Sequence, residues 1–114
     1  MEISSGWDLV VLGSGPAGEA AAMQAAKGGL RVAMVDRDDQ MGGNCTHWGT
    51  IPSKALRHQV RQVVRSQRNP LLRGRISPRQ VRCQDLIQRS REVVDSQVQV
   101  HTDFYVRNRV RLFN

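Results

Sequence analysis

The sequence predicts an α/β fold built on a parallel sheet. Two short apolar runs, Trp7–Leu12 (WDLVVL) and Arg31–Asp36 (RVAMVD), flank an alanine-rich stretch, Glu19–Lys27 (EAAAMQAAK). A glycine-rich turn, GSGPAG, joins the first run to that stretch. A third apolar run, Val110–Phe113 (VRLF), follows two long amphipathic segments. Strand, helix and strand in that order imply parallel pairing through a right-handed crossover.

Each element has a local cause. Trp7–Leu12 is apolar, β-branched in part and stopped by glycine, which describes a short buried strand. Alanine is the best helix former, so Glu19–Lys27 reads as helix, and Gly28-Gly29 ends it. Arg31–Asp36 is the second buried strand, and Arg37–Thr50 reads as loop. Pro52 and Ser53 then open a helix through about Gln67, whose Leu56, Val60, Val63 and Val64 form one apolar stripe. Asn69-Pro70 breaks it, and Leu71–Arg79 (LLRGRISPR) is a polar connection. A second long helix is predicted from about Gln84 to Val106, with Leu86, Ile87, Val93, Val94, Val98 and Phe104 inward. Val110–Phe113 is the third strand. The two long helices are thus inserted between strands 2 and 3 of an incomplete parallel sheet.

Composition bounds the function. The chain has 114 residues, enough for one small domain or a piece of a larger one. Its apolar share of 39% is below the usual ~45–50%, so any core is thin. Two cysteines do not suggest a disulfide framework, and no charged-then-apolar leader opens the chain. Leu9–Leu12 is far too short to span a bilayer. A cytoplasmic location without membrane attachment is expected. The net charge of +7 is polarised: residues 1–56 carry −2 and residues 57–114 carry +9. Clustered arginine can hold a polyanion. However, these residues recur at helical spacing with no aromatic stacking platform beside them. A solvated arginine-rich helix face is the favoured expectation, and nucleic acid is not an expected partner.

The turn carries chemistry. In Gly13-Ser14-Gly15-Pro16-Ala17-Gly18 the first glycine permits the tight turn and the second lets backbone approach a pyrophosphate. The third lets helix and strand pack closely. Free N–H groups at the helix start face the anion. Alone this pattern is weak. Here a strand precedes it, a helix follows, and Asp36 lies eighteen residues past Gly18, where a carboxylate can accept ribose hydroxyl hydrogen bonds. Together they describe a dinucleotide site. Asp36 repels a 2′-phosphate, which leaves FAD or NAD rather than NADP.

The segment Gly42–His58, GGNCTHWGTIPSKALRH, resembles the flavin-side active segment of the pyridine nucleotide–disulfide oxidoreductases, the family of lipoamide dehydrogenase and glutathione reductase. The resemblance runs from about Asp8 through Asn114. It implies a Rossmann-like FAD-binding domain, of which residues 1–114 are the N-terminal portion. Family members with a working dithiol have cysteine at two places, matched here by Cys45 and Thr50. A dithiol needs two sulfurs within bonding distance, and a hydroxyl replaces neither. The form CTHWGT is similar to the soluble pyridine nucleotide transhydrogenases, flavoproteins that pass reducing equivalents between NADPH and NAD.

By resemblance, Gly13, Ser14, Gly15, Pro16, Ala17 and Gly18 take the FAD pyrophosphate, and Asp36 with Arg37 the adenosine side. Gly42, Gly43, Asn44 and Cys45 lie along the flavin side, and Lys54 stands near the flavin N5 edge. Thr50 aligns with the cysteine that would face the flavin. The implied parent activity is FAD-dependent hydride transfer between NADPH and NAD in a homo-oligomer. Its nicotinamide-nucleotide and dimerisation domains lie outside this sequence, so the chain is expected to be an N-terminal fragment, inactive alone and weak in FAD affinity. The alternatives are a dithiol-free diaphorase or dihydrolipoamide dehydrogenase-like flavoprotein, or a basic nucleic-acid-interacting fragment.

Other residues have plain readings. Cys45 is at least as well explained as a small buried hydrophobe as by any reactive role. Cys83 is expected to be structural. His47 and Trp48 either stack near the cofactor or fill the underside of the loop. His58 and His101 have no ligand companions at metal spacing, so no metal site is assigned. No catalytic residue is assigned, and Ser53 belongs to the helix start.

Overall fold

The computed structural model describes residues 6–75, 77 and 80–114. Strand β1 (Leu9–Leu12) leads into helix α1 (Pro16–Lys27), and strand β2 (Val32–Val35) follows. A five-residue helix α2 (Gly43–His47) precedes the long helices α3 (Thr50–Arg68) and α4 (Cys83–Arg107), and strand β3 (Arg111–Phe113) closes the order. The sheet is parallel throughout, in order β1-β2-β3. Val11 pairs with Met34, and Met34 in turn with Leu112.

Helix α1 starts on Pro16, whose fixed φ suits a first helical position and whose missing N–H costs nothing there. Glu19 in its first turn and Lys27 in its last complement the helix dipole. Alternation along β1 sends Leu9 and Val11 to one face and Val10 and Leu12 to the other. The first face is the core: Val11, Val32 and Met34 pack with Ala22 of α1, Met41, Tyr105 of α4 and Val110. Among the described residues the second face carries no helix over β1, where Val10 and Leu12 are exposed, Leu12 by 80%. Trp7 packs edge-on against Phe113, ring centroids 6.0 Å apart. The outer edge of β1 has no neighbouring strand among the described residues.

Helices α3 and α4 pack along each other as a hairpin, and the molecule is correspondingly long, 64 × 25 × 18 Å. Asp85 secures the start of α4, accepting from the Arg82 backbone N–H (3.2 Å) and guanidinium (3.0 Å).

The expected strands and helices are present, with two differences. Gly43–His47 within the expected loop is helical. The expected apolar stripes are only partly inward: Leu56 and Val63 of α3 and Leu86, Val94 and Val98 of α4 are half-buried, but the buried positions fall beside them. Ala55 and Ser66 are the buried positions of α3, while Val60 and Val64 are exposed. On α4, Ser90 and Tyr105 are buried, and Ile87, Val93 and Phe104 are exposed. Small side chains at Ala55, Ser66 and Ser90 allow close approach of backbone, and both serines satisfy their hydroxyls on their own helix. Ser66 donates to the Val63 carbonyl (2.7 Å) and Ser90 to that of Leu86 (2.8 Å). Of the expected connection Leu71–Arg79, residues 71–75 form turns, whereas Ile76, Pro78 and Arg79 lie outside the described residues.

Candidate functional site

The ends of β1 and β2 point at one place, and a chain of hydrogen bonds ties the segments there. Ser14 is fully buried behind the glycine turn. Its backbone N–H donates to Asp36 Oδ2 at 2.7 Å, and its hydroxyl donates to the same oxygen at 2.5 Å. The Gly42 N–H in turn donates to Ser14 Oγ at 2.9 Å. Three segments far apart in sequence are thereby locked together: the turn after β1, the end of β2, and the start of α2. Hydrogen bonds from the Ser14 side chain and then its backbone hold the Asp36 carboxyl below the usual carboxylate range. Asp36 is therefore an anion at neutral pH. Its second oxygen accepts from the Asp38 N–H at 3.2 Å.

Two glycines are required by close approach to backbone. A Cβ on Gly18 would collide with the carbonyl oxygen of Gly13 and press on Val11 at 3.2 Å. This is the tight helix–strand contact expected of the third glycine in such a turn. Gly43 has φ +61°, and a Cβ there would stand 2.9 Å from the Cα of Gly15. The Gly42-Gly43 loop thus lies directly on the glycine turn. By contrast, Cβ atoms on Gly13 or Gly15 would meet nothing within 4 Å. The outer side of the turn is open, and no side chain caps the start of α1. Unsatisfied amides beside open space fit a pyrophosphate.

Next to this turn is a cavity of about 290 Å³ bordered by Pro16, Glu19, Met23, Gly42, Cys45 and His101. Cys45 is half-buried and unbonded to Cys83, which is exposed at the start of α4. The structural role expected for Cys83 is therefore not a packing one. His101 Nδ1 lies 2.6 Å from Glu19 Oε2, pinning α4 to α1. This contact joins residues 82 apart and has no signal in the sequence. His47 Nε2 donates to the Met41 carbonyl at 2.9 Å and braces the loop. Trp48 is 83% exposed and does not fill the loop's underside.

The remaining expected residues are less gathered. Pro16 and Ala17 stand exposed on the first turn of α1. Asn44 is exposed, and its carbonyl accepts from the Trp48 and Gly49 N–H groups. Arg37 is exposed, 3.9 Å from Asp38. Lys54 is exposed on α3 and borders a surface groove with Arg57, His58, Arg61 and Arg65, outside the Cys45 cavity. Among the described residues, no group of three or more His, Cys, Asp or Glu could hold a metal ion. None of the described helices is long and apolar enough to cross a membrane.

The sequence profile of the pyridine nucleotide-disulphide oxidoreductases matches residues 7–112. The chain belongs to this family. Family members bind FAD in a Rossmann-like domain, and the three-stranded parallel sheet with its glycine turn is part of that architecture. The chain is 53% identical over 107 residues to the soluble pyridine nucleotide transhydrogenase of Chromohalobacter salexigens. It is 56% identical over the same length to that of Pseudomonas putida. Both matches cover 94% of this chain and 23% of the relative, so the chain spans about a quarter of their length. Among solved structures it is similar to the Cu(II) complex of the HOCl-induced flavoprotein disulfide reductase RclA from Escherichia coli. There the TM-score is 0.73 and the identity 25%, covering 95% of this chain and 21% of the other.

Proposed function

We propose that this chain forms the pyrophosphate- and adenosine-binding part of an FAD site in a flavoprotein that transfers hydride between NADPH and NAD. The observation that carries the FAD reading is the locked cradle: Gly42 to Ser14 to Asp36 beneath, and open space above Gly13 and Gly15. The α1 amides would hold the pyrophosphate, and an ionised Asp36 would accept hydrogen bonds from adenosine ribose hydroxyls through its Oδ1 side. Gly43 permits the loop to lie close enough to border the cofactor. Lys54 would contribute positive charge on the flavin side. When bound, FAD supplies two-electron chemistry, accepting hydride from one nucleotide and returning it to another. Thr50 supports transfer to a nucleotide rather than through a dithiol. By the family resemblance Thr50 aligns with the second cysteine of dithiol members, a hydroxyl cannot take part in thiol–disulfide exchange, and Cys45 is a free cysteine. Identity of 53–56% to transhydrogenases supports the same reading.

Two measurements test this. Adding FAD to the purified chain should give weak binding, read as a change in flavin fluorescence that Asp36→Ala diminishes. No response at high micromolar FAD, or no difference with the variant, refutes the cofactor assignment. In a longer protein containing this chain, steady-state exchange between NADPH and NAD is expected. Flavin reduction without such exchange would favour a dithiol-free diaphorase.

A further inference from the structure

We infer that the exposed face of α3 is a binding surface for the phosphate backbone of duplex nucleic acid. Sequence composition favours a merely solvated face; the structure adds that these residues lie on one continuous helix, that the ion pairs of the described residues form elsewhere, and that a surface groove runs beside the cations. Arg57, Arg61, Arg65 and Arg68 follow one another at four-, four- and three-residue steps, so they share one side of the helix. At 1.5 Å per residue these steps are about 6, 6 and 4.5 Å, a row of about 16 Å. One strand of a duplex presents a phosphate every ~3.4 Å of axis, so the row spans about five phosphates.

No acidic residue occurs between Asp39 and Asp85. The ion pairs of the described residues form elsewhere: Asp8 with Arg31, Asp38 with Arg37, Asp85 with Arg82, Glu92 with Arg89, and Glu19 with His101. None involves a cation of α3. These guanidinium groups are therefore available for charge-assisted bonds to phosphate. Arg57, Arg61 and Arg65 border the same shallow groove as Lys54 and His58, and Gln62 lies between Arg61 and Arg65 in sequence, its Nε2 3.1 Å from His58 Nε2.

Helix α3 gives the row its reach, since its 19 residues extend about 28 Å at 1.5 Å per residue. A membrane surface fits less well. A helix lying on lipid needs a free face with bulky apolar anchors. The exposed side of α3 offers only Val60 and Val64, and its other side packs along α4. The contact is to backbone and carries no base selectivity.

Fluorescence anisotropy of a labelled 20-base-pair duplex with the full chain tests this. Binding at 50 mM salt is expected, with a log–log salt slope of about −3.5 for four phosphates contacted. The variant R57E/R61E/R65E should bind at least ~30-fold more weakly, with a shallower slope. The variant K27E/R107E/R111E, with the same change in net charge away from α3, should change affinity less than ~3-fold. Circular dichroism checks the helices, and R57Q/R61Q/R65Q replaces the reversal if that variant does not fold. Absence of binding at 50 mM salt, or equal losses in both triple variants, overturns the proposal. Binding to vesicles containing 30% phosphatidylserine but not to duplex also overturns it, in favour of an anionic membrane.

Discussion

The glycine-turn end and the α3–α4 hairpin of this molecule are built by opposite means. At the turn, three distant segments are joined by hydrogen bonds through the buried Ser14, and two glycines sit where neighbouring backbone leaves no room for a Cβ. In the hairpin, buried serines bond only their own helix, and cations line the outside. The first region leaves little room for substitution because its contacts are specific in position. The second tolerates change because its contacts are repetitive along an axis. Precision at the turn suits a cofactor's pyrophosphate; redundancy in the hairpin suits a charged, sequence-indifferent surface.

The sharpest break of this contrast is Gly18→Val. The new side chain meets the Gly13 carbonyl oxygen, a backbone atom that cannot step aside. A loss of about 3 kcal/mol is expected, at the upper end for overpacking, seen as a fall in thermal midpoint and loss of the FAD response. Asp36→Asn comes next. It removes the charge from two bonds to Ser14 and should cost about 2 kcal/mol at neutral pH.

That cost depends on pH, and its sign follows from the lowered folded-state pKa. The Asp36 contribution is complete above the ordinary carboxylate value of 3.8 and is lost as pH falls below it toward the folded value. Denaturant melts should therefore show wild type and Asp36→Asn converging in stability below about pH 4. A constant gap between pH 7 and pH 3 would show that the carboxylate's charge is not the cause.

In the hairpin, Arg61→Gln should change stability by no more than about 0.5 kcal/mol, as for other surface sites without partners. A larger loss would mean that α3 depends on its cations and would erase the contrast. Tyr105→Phe should have the smallest effect of all, neutral or slightly stabilising. The Tyr105 hydroxyl is buried without a well-formed hydrogen bond among the described residues, although the Glu19 carboxylate lies near it. Burial, and next the negative charge of Glu19, push its pKa up. Removing an unsatisfied hydroxyl while keeping the ring retains the packing.

The same contrast explains what could be read from sequence. The strand–turn–helix–strand order was legible because local chemistry dictates it: alanine in α1, glycine at the turn, apolar runs in β1 and β2. Asp36 was legible as a carboxylate at the end of β2, but not its bond to Ser14, because Ser14 occupies a variable place in the glycine pattern. The Glu19–His101 contact was invisible, since nothing local joins residues so far apart. The inward faces of α3 and α4 are only partly legible in the sequence, for a physical reason. An apolar stripe predicts burial only when bulk sets the contact, and here Ala55, Ser66 and Ser90 set it by being small. Val60, Val64, Ile87 and Val93 are left at the rim.

The bare face of the sheet has a colloidal consequence. Val10 and Leu12 are exposed beside a β1 edge whose outer N–H and C=O groups have no strand partner among the described residues. An apolar surface next to an unpaired edge is a template for strand addition. The positive charge repels other copies, but salt screens that repulsion within about 10 Å at 0.1 M. Light scattering from the isolated chain should therefore rise with salt and with protein concentration. A lysine in place of Leu12 should suppress that rise more than an equal charge placed on α3.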